Sequence, residues 1–151
     1  MGLRKMLSSD IKQVVCLYQD SNLFAKKKDI TDWTVRGLKD YPDLNFVFEQ
    51  NKKIIGAISG VVIKNKNIEI NDIVVLEKYR HKKIGVKLMT QIINLAKLKK
   101  IHRISLWVHW TNAAAIPFYY KLGFKMSKLM QTKKISGVPD GEDVICLEKY
   151  L

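Results

Sequence analysis

The chain has 151 residues, of which 47% are hydrophobic, and its 27 Lys and Arg against 14 Asp and Glu give a formal net charge of +13. This length and apolar content are enough for one domain with a substantial core, and we expect a single domain over residues 1–151. The longest apolar stretch, Ile54–Ile63, is too short to span a bilayer, and the first residues have no signal-peptide core. We therefore expect no membrane partner and a cytoplasmic location.

The positive charge by itself suggests a nucleic-acid partner. The cations are mostly Lys, however, and they are scattered over turns and helix faces, with the run Lys26–Lys28 interpreted as a solvated loop. No zinc-finger, RNA-recognition or helix-turn-helix pattern accompanies them. Nucleic-acid binding is therefore the weakest functional hypothesis for this chain. Polynucleotide binding that falls steeply with salt would support it.

Apolar periodicity and turn residues predict the elements in chain order. Seven stretches predict strands: Leu3–Leu7, Leu44–Glu49, Ile54–Lys64, the segment from Ile68 to Val75, His102–Trp110, Phe124–Gln131 and Asp143–Tyr150. Four stretches predict helices: one capped by Ser8 or Ser9 with Val14, Val15, Leu17 and Tyr18 on its apolar face, Thr31–Tyr41, the segment from Ile84, and Ala113–Lys121. The fold class is mixed α/β, with a largely antiparallel sheet of about seven strands and about four flanking helices.

A basic turn connects the strand ending at Val75 to the helix beginning at Ile84, and it runs from Tyr79 to Gly85. The first N–H groups of a helix are unpaired and carry about half a positive charge. A cationic turn that leads into such an end is a favourable place for a pyrophosphate.

This turn resembles the Q/R-x-x-G-x-G/A turn of the GNAT superfamily of acetyl-CoA-dependent N-acetyltransferases, with Arg80 and Gly85 at its first and last positions. Lys83 stands where the family usually has its first glycine. A second segment, Asn112–Phe124, resembles the GNAT stretch that ends in Tyr, three residues, then Gly-Phe. In this C-terminal half the chain is most similar to ribosomal-protein and other N-terminal-amine acetyltransferases. The resemblance implies the GNAT fold and acetyl-CoA as the cofactor.

The resemblance also implies which residues hold the cofactor. The strand would contact the pantetheine, the turn would hold the pyrophosphate, and Asn112 would cap a helix and present its amide to the cofactor. The predicted cofactor-binding residues are Ile73, Val74, Val75, Arg80, His81, Lys82, Lys83, Ile84, Gly85, Val86, Asn112 and Tyr119. No His or Cys stands at metal-ligand spacing, so no metal is expected.

Family members transfer the acetyl group directly, so neither Cys16 nor Cys146 is needed as a nucleophile. Tyr119 matches the family's general acid, with a phenol of ordinary acidity, whereas Tyr120 would face away.

The general base is harder to assign, because three side chains are candidates. We rank Glu69 first, with His109 and Asp72 behind it. Glu69 and Asp72 lie at an odd separation on one strand, so only one of them should face the cleft unless a bulge intervenes.

The acceptor is expected to be a primary amine, either of a small molecule or of a protein N-terminus. Trp107 stands where N-terminal-amine acetyltransferases carry a glutamate or histidine, and Lys133 and Lys134 stand near their paired tyrosines. Trp33, Trp107 and Trp110 could form apolar walls for another amine. A catalytically silent acyl-CoA-binding domain is the second hypothesis, and a homodimer is left open.

Overall fold

The computed structural model describes residues 2–21, 25–64, 66–131 and 141–151. In these residues seven strands form one sheet: β1 (Gly2–Lys5), β2 (Asn45–Gln50), β3 (Lys53–Ile63), β4 (Asn67–Val75), β5 (Arg103–His109), β6 (Lys125–Gln131) and β7 (Asp143–Tyr150). The four α-helices are α1 (Ile11–Ser21), α2 (Lys27–Asp40), α3 (Ile84–Leu98) and α4 (Ile116–Lys121). Among these helices, none has the length and apolar character that crossing a bilayer requires.

The strand order is β1-β2-β3-β4-β5-β7-β6. All neighbouring strands are antiparallel except β4 and β5, which are parallel and are connected through α3. The predicted mixed, largely antiparallel sheet with four helices is confirmed. The parallel pairing is short, since it runs only from Asn67 opposite Arg103 to Ile70 opposite Leu106. Beyond this point the two strands separate, and the gap between them forms a cleft.

The helices cover both faces of the sheet. Helices α1 and α2 pack on one face over a cluster that includes Val47, Ala57 and Val74. Helices α3 and α4 pack on the other face over the larger cluster. The α3 residues that are buried are the ones whose spacing of three and four predicted the helix: Ile84, Leu88, Met89, Ile92, Ile93 and Ala96.

Three helix starts differ from those predicted. Ser8 and Ser9 do not cap α1, because both lie in a 3₁₀ turn, Ser8–Asp10, that leads into it. Helix α2 begins at Lys27, so the lysine run opens a helix instead of lying in a loop. The predicted helix Ala113–Lys121 is divided into a 3₁₀ segment, Trp110–Ala115, and α4. Pro117 explains the division, because proline lacks an N–H and clashes with the carbonyl four residues earlier unless it lies in the first helical turn.

Gly123 ends α4, as the sequence predicts. Its φ of 86° is in the left-handed region that favours glycine. The Gly123 N–H donates to the Tyr120 C=O at 3.0 Å, and the Phe124 N–H donates to the Tyr119 C=O at 3.1 Å. This closure places the Phe124 ring against the Tyr119 ring, with 6.0 Å between centroids, and so fixes the helical register at Tyr119.

Candidate active site

The cleft between β4 and β5 collects side chains from both faces of the sheet. Helices α1 and α2 contribute Tyr18 and Trp33, the two strands contribute carboxylates and an indole, and α4 contributes a phenol. The lining residues that bear on the chemistry are Tyr18, Trp33, Glu69, Asp72, Trp107 and Tyr119.

One wall of the cleft is an unpaired edge of β4. The Leu76 N–H donates to the Ile55 C=O at 2.9 Å, and hydrogen-bonded pairs alternate along antiparallel strands. The N–H of Val74 therefore turns toward β3, while the N–H groups of Ile73 and Val75 turn toward the open edge. Of the three residues predicted to contact the pantetheine, Ile73 and Val75 thus have a backbone donor at the cleft. Val74 instead buries its side chain under α1.

The basic turn lies at the end of this edge. Arg80 Nε donates to the Val75 C=O at 3.2 Å, which joins the turn to the open strand. Lys87 N–H donates to Lys83 C=O at 3.0 Å, so the N–H groups of Ile84–Val86 precede the first helical hydrogen bond of α3. These unpaired donors and the helix dipole give an anion site at the end of the cleft.

The side chains of the turn are not equivalent. Arg80, His81 and Lys83 line the cleft. Lys82 instead places its Nζ 5.3 Å from the centroid of the Tyr79 ring. A Cβ on Gly85 would lie 3.3 Å from the Phe118 ring, so this glycine lets the start of α3 approach α4 closely.

Lys83 occupies the N-cap of α3 with φ 61° and ψ 13°, in the left-handed region. This conformation is free of strain for glycine but is disfavoured for a residue with a side chain, such as lysine. Its own side chain makes no capping hydrogen bond, and the residue is exposed. The ammonium is thus available for an anion in the cleft.

We expect Lys83→Gly to change the stability of the free protein by about 1 kcal/mol or less, because relief of left-handed strain offsets the larger entropy of the unfolded chain. Coenzyme A affinity should fall about threefold at low ionic strength and less at high salt, since an exposed cation is screened. Calorimetric titration at two salt concentrations measures both effects. Lys83→Met is the matched control, because it removes the charge and keeps a side chain. Tighter binding by Lys83→Gly would show that the lysine is only tolerated.

A β-bulge brings two carboxylates to the same face of β4. Ser59 is opposite Asp72 and Gly60 is opposite Ile70, so Asn71 is an extra residue in β4. The alternation shifts by one residue at this point, and Glu69 and Asp72 both line the cleft. Without a bulge, only one of the two carboxylates would face the cleft. Because the bulge is present, both do.

Asp72 is the most perturbed carboxyl group of the cleft. Burial raises its pKa to about 7. Burial, and then the charge of Asp72, raise the pKa values of two tyrosines of the cleft, Tyr18 and Tyr119. A carboxyl group that titrates near neutral pH can both accept and return a proton.

Glu69 is held by a tryptophan from the neighbouring strand. Trp107 Nε1 donates to Glu69 Oε2 at 3.3 Å. On its other side the Trp107 ring lies 5.3 Å from Lys128 Nζ. Trp107 therefore orients the Glu69 carboxylate in the cleft.

His109 has partners for both of its ring nitrogens. The Thr111 N–H donates to Nδ1 at 3.2 Å, which leaves Nε2 to carry the proton that faces Glu142 Oε2 at 3.1 Å. The Trp110 indole and then His109 hold the pKa of the Glu142 carboxyl below its usual range. This network fixes the ring at the edge of the cleft and does not leave Nδ1 as a ready proton acceptor.

Tyr119 faces the cleft, whereas Tyr120 is half exposed and does not line it. Burial, and then the charge of Asp72, raise the pKa of Tyr119 to about 12. The expectation of an ordinary phenol is therefore wrong for the free protein. Tyr119 holds its proton more firmly than a solvent-exposed tyrosine does.

Asn112 lies in the cleft wall, but it does not cap a helix. Its φ of −105° and ψ of 21° interrupt the 3₁₀ segment, and α4 begins after Ala115 without a side-chain cap. Its amide can still point at a ligand. Lys133 and Lys134 lie outside the described residues.

Neither cysteine lines the cleft. Cys16 is exposed on α1, and Cys146 is buried in β7. Burial raises the pKa of the Cys146 thiol, which lowers its nucleophilicity at neutral pH. The arrangement fits a direct transfer better than a thioester to the protein.

Tyr18 is the cleft residue that the sequence did not single out. Its position on the apolar face of α1 predicted only a core residue, and it is indeed 2% exposed. A tyrosine placed among aliphatic residues is the one signal that could have drawn attention to it, since a buried hydroxyl needs a partner.

The model of the acetyltransferase (GNAT) family matches residues 10–124. A spermidine N(1)-acetyltransferase of Thermoplasma acidophilum is 35% identical over 97 residues, which are 64% of this chain and 53% of that protein. The chain thus spans about half the length of this relative. A ribosomal-protein-alanine N-acetyltransferase from Brucella melitensis superposes with a TM-score of 0.80 at 19% identity, covering 100% of both chains. A PaiA N-acetyltransferase of Thermoplasma acidophilum, solved with coenzyme A, superposes with a TM-score of 0.72 at 22% identity, covering 99% of this chain and 98% of that chain.

Proposed function

Since the chain belongs to the GNAT acetyltransferase family, we propose that it transfers the acetyl group of acetyl-CoA directly to a primary amine of a small molecule or of a protein N-terminus. The observation that carries this proposal is the separation of β4 from β5 beyond Ile70. It leaves an open strand edge that leads straight to the anion site at the start of α3.

On the cofactor side, the N–H groups of Ile73 and Val75 would bind the amide groups of the pantetheine arm. The N–H groups at the start of α3 would bind the pyrophosphate, with Arg80 and Lys83 as neighbouring cations. This division follows from chemistry, because the arm offers neutral hydrogen-bonding groups and the pyrophosphate offers negative charge. The coenzyme A complex of the PaiA structure supports the cofactor class.

On the acceptor side, the amine must lose a proton before it attacks the thioester carbonyl. We propose Asp72 as the proton acceptor, because its pKa of about 7 suits that role at neutral pH. Glu69, which the sequence ranks first, would attract and orient the ammonium while Trp107 holds it. The nitrogen then forms the new amide bond, the thioester C–S bond breaks, and the sulfur leaves as coenzyme A thiolate.

Tyr119 would protonate that thiolate. An alkyl thiol has a pKa of about 8.5, so a phenol whose pKa is about 12 is the weaker acid. Once Asp72 has taken the proton of the amine, its charge no longer raises the pKa of Tyr119. Protonation of Asp72 by the amine thus makes Tyr119 a stronger acid. After Tyr119 has given its proton to the thiolate, neutral Asp72 can supply the proton that restores the phenol.

Two acceptor classes are supported by named relatives: a spermidine acetyltransferase and a ribosomal-protein-alanine acetyltransferase. Both acceptors are primary amines that are protonated at neutral pH. The two carboxylates of the cleft suit an ammonium, and Trp33 and Trp107 suit the methylene or backbone groups beside it. Because acetyl-CoA is an intracellular metabolite, we propose that the protein acts in the cytoplasm.

The test is release of free coenzyme A thiol from acetyl-CoA in the presence of a panel of amines. The panel contains spermidine, putrescine, and short peptides with free or blocked N-termini. We expect thiol release with at least one free amine and none with the blocked peptides. If coenzyme A raises the melting temperature but no amine releases thiol, the protein is a silent acyl-CoA-binding domain.

A further inference from the structure

The cleft continues beneath α1 and α2 into an inner recess, whose described lining residues are Tyr18, Thr34, Gly37, Asn45, Ser59 and Gly60. Asn45, Ser59 and Asp72 are neighbours across β2, β3 and β4. Each lies two positions from a residue that α1 and α2 cover, and alternate residues of a strand share a face. Adjacent strands are about 4.8 Å apart, so the Cα of Asn45 lies about 10 Å from that of Asp72. This row of three residues leads from the cleft into the inner recess.

Two buried polar atoms of the inner recess have no hydrogen-bond partner among the residues that the structure describes. They are the hydroxyl of Tyr18, which is 2% exposed, and Oδ1 of Asn45, which is 1% exposed. An unpaired buried polar atom destabilises a fold, and native proteins pair such atoms with protein groups, water or a ligand. Because the recess is continuous with the cleft, a group of the bound acceptor can enter it.

The orientation of the Asn45 amide decides which group fits. Its Nδ2 donates to the Gly37 C=O at 3.2 Å and to the Tyr41 C=O at 2.8 Å. Only the nitrogen can donate to two carbonyls, so Oδ1 is the atom that faces no partner, and it can only accept. The missing partner is therefore an O–H or N–H donor. The Tyr18 hydroxyl can donate to the same group or accept from it.

The lining of the inner recess favours a neutral donor over a charged one. Its described side chains are hydroxyl, amide and aliphatic groups, without a carboxylate. An ammonium that entered would lose its hydration and find no counter-ion, which costs far more than burial of a hydroxyl or an amide. Asp72 lies at the outer end of the row, where the proposed function assigns it to the reacting amine.

Gly37 keeps space open beside the unpaired oxygen. It stands within α2, where glycine is less favourable than alanine. For a Cβ at this position, the nearest atom from another segment is Asn45 Oδ1, at 4.0 Å. An alanine would thus fit without a clash, so the glycine is not required by the packing of the helix. It leaves room for a ligand group next to Oδ1.

We propose that the inner recess is an acceptor subsite, which binds a neutral hydrogen-bond donor, a hydroxyl or an amide N–H, about 5–10 Å from the reacting amine nitrogen. Asn45 and Tyr18 are its specificity-determining residues. The proposal rests on the proposed function, since it names the class of amine that the same site prefers. It predicts that amino alcohols or peptide N-termini bind better than diamines of the same length.

The test compares matched amines with chains of three to six carbons. Each amino alcohol is paired with the alkylamine in which a methyl group replaces the hydroxyl, and with the diamine in which an ammonium replaces it. Calorimetric titration in the presence of coenzyme A measures affinity without acetyl transfer. We expect the amino alcohol of the best length to bind about 10-fold more tightly than either partner. Equal affinity of amino alcohols and alkylamines at every length, or tighter binding of the diamines, would overturn the proposal.

Two variants assign the preference to the inner recess. Tyr18→Phe removes one unpaired atom and keeps the ring, so the amino alcohol should lose about threefold or more in affinity while the alkylamine loses none. Gly37→Ala should raise the melting temperature, because alanine favours the helix, and should weaken binding of the amino alcohol, because the methyl group occupies the space beside Asn45 Oδ1. Asn45 itself is kept, since its Nδ2 holds the end of α2.

Tyr150→Phe is the control, because Tyr150 is 71% exposed and lies outside the cleft. It should change neither affinity. A preference for the amino alcohol that persists unchanged in both Tyr18→Phe and Gly37→Ala would place the discrimination outside the inner recess and overturn the proposal.

Short peptides distinguish the two sources of the donor. N-methylation of one backbone amide at a time should weaken binding at a single position if a peptide N–H enters the inner recess, and Tyr18→Phe should reduce that loss. A preference confined to amino alcohols would identify a small hydroxylated amine instead. If no amine releases thiol from acetyl-CoA while the selective binding remains, the subsite stands and the proposed function fails. If thiol is released without any such selectivity, the function stands and the subsite is overturned.

Discussion

Replacing Tyr119 by phenylalanine is expected to lower kcat about 100-fold or more, because the departing thiolate loses its proton donor. The change removes one oxygen and keeps the ring that packs edge-on against Phe118 and Phe124. The affinity for coenzyme A should change little, since the proton is needed only as the C–S bond breaks. Steady-state kinetics with saturating acetyl-CoA measures the effect, and calorimetry measures the affinity.

Tyr120→Phe is the matched control for this variant. Tyr120 is the next residue of the same helix, half exposed and outside the cleft, so its variant should keep the wild-type rate. A large loss in Tyr120→Phe together with an unchanged rate in Tyr119→Phe would show that Tyr120 is the proton donor and that Tyr119 is not. Equal rates in both variants would show that proton transfer to sulfur does not limit turnover.

Asp72→Asn is expected to lower kcat/KM about 10²-fold to 10⁴-fold at neutral pH, because an amide keeps the shape of the side chain and cannot accept the amine's proton. Activity should recover at high pH, where the free amine needs no base. Glu69→Gln is the control on the same strand and the same face. A small effect in Asp72→Asn with the larger loss in Glu69→Gln would return the base to Glu69, the residue that the sequence ranks first.

Asp72→Asn should also change the pH dependence of stability, which gives a readout independent of activity. The pKa of Asp72 is about 7 in the folded protein and about 3.9 in an unfolded chain, so folding binds a proton between these values. Below pH 4 the group is neutral in both states and costs nothing. As pH rises from 4 to 7 the wild type loses stability relative to Asp72→Asn, and above 7 the difference is constant. A constant difference in melting temperature from pH 4 to 8 would contradict the raised pKa.

Local patterns were sufficient to predict most of the fold. Helix α3 begins at the predicted Ile84, and β7 has the predicted limits, because spacing, turn residues and flanking polarity all lie within the segment itself. The predicted start of the helix at Ala113 was wrong, although the sequence contains Pro117, which favours a later start. The alanines favoured helix formation, but a proline at the fifth position does not fit an α-helix.

The candidate site depends on contacts between distant parts of the chain. The bulge at Asn71 is defined by the register of β3 against β4, which no local alternation contains. The hydrogen bond from Trp107 to Glu69 joins residues 38 positions apart, and the contact of His109 with Glu142 joins residues 33 positions apart. These contacts decide which carboxylate is desolvated and which histidine nitrogen is occupied. The sequence motifs could therefore indicate the candidates for the general base. Ranking these candidates required the contacts of the folded chain.

Mass spectrometry after incubation with isotopically labelled acetyl-CoA and the responsive amine tests the central claim most directly. We predict that the label appears on the amine nitrogen, with one coenzyme A released for each acetylated amine, and that neither Cys16 nor Cys146 carries it at any time. Asp72→Asn and Tyr119→Phe should slow the appearance of the labelled product without changing its identity. Label on a cysteine of the protein, or no labelled amine while coenzyme A still binds the cleft, would contradict direct acetyl transfer between β4 and β5.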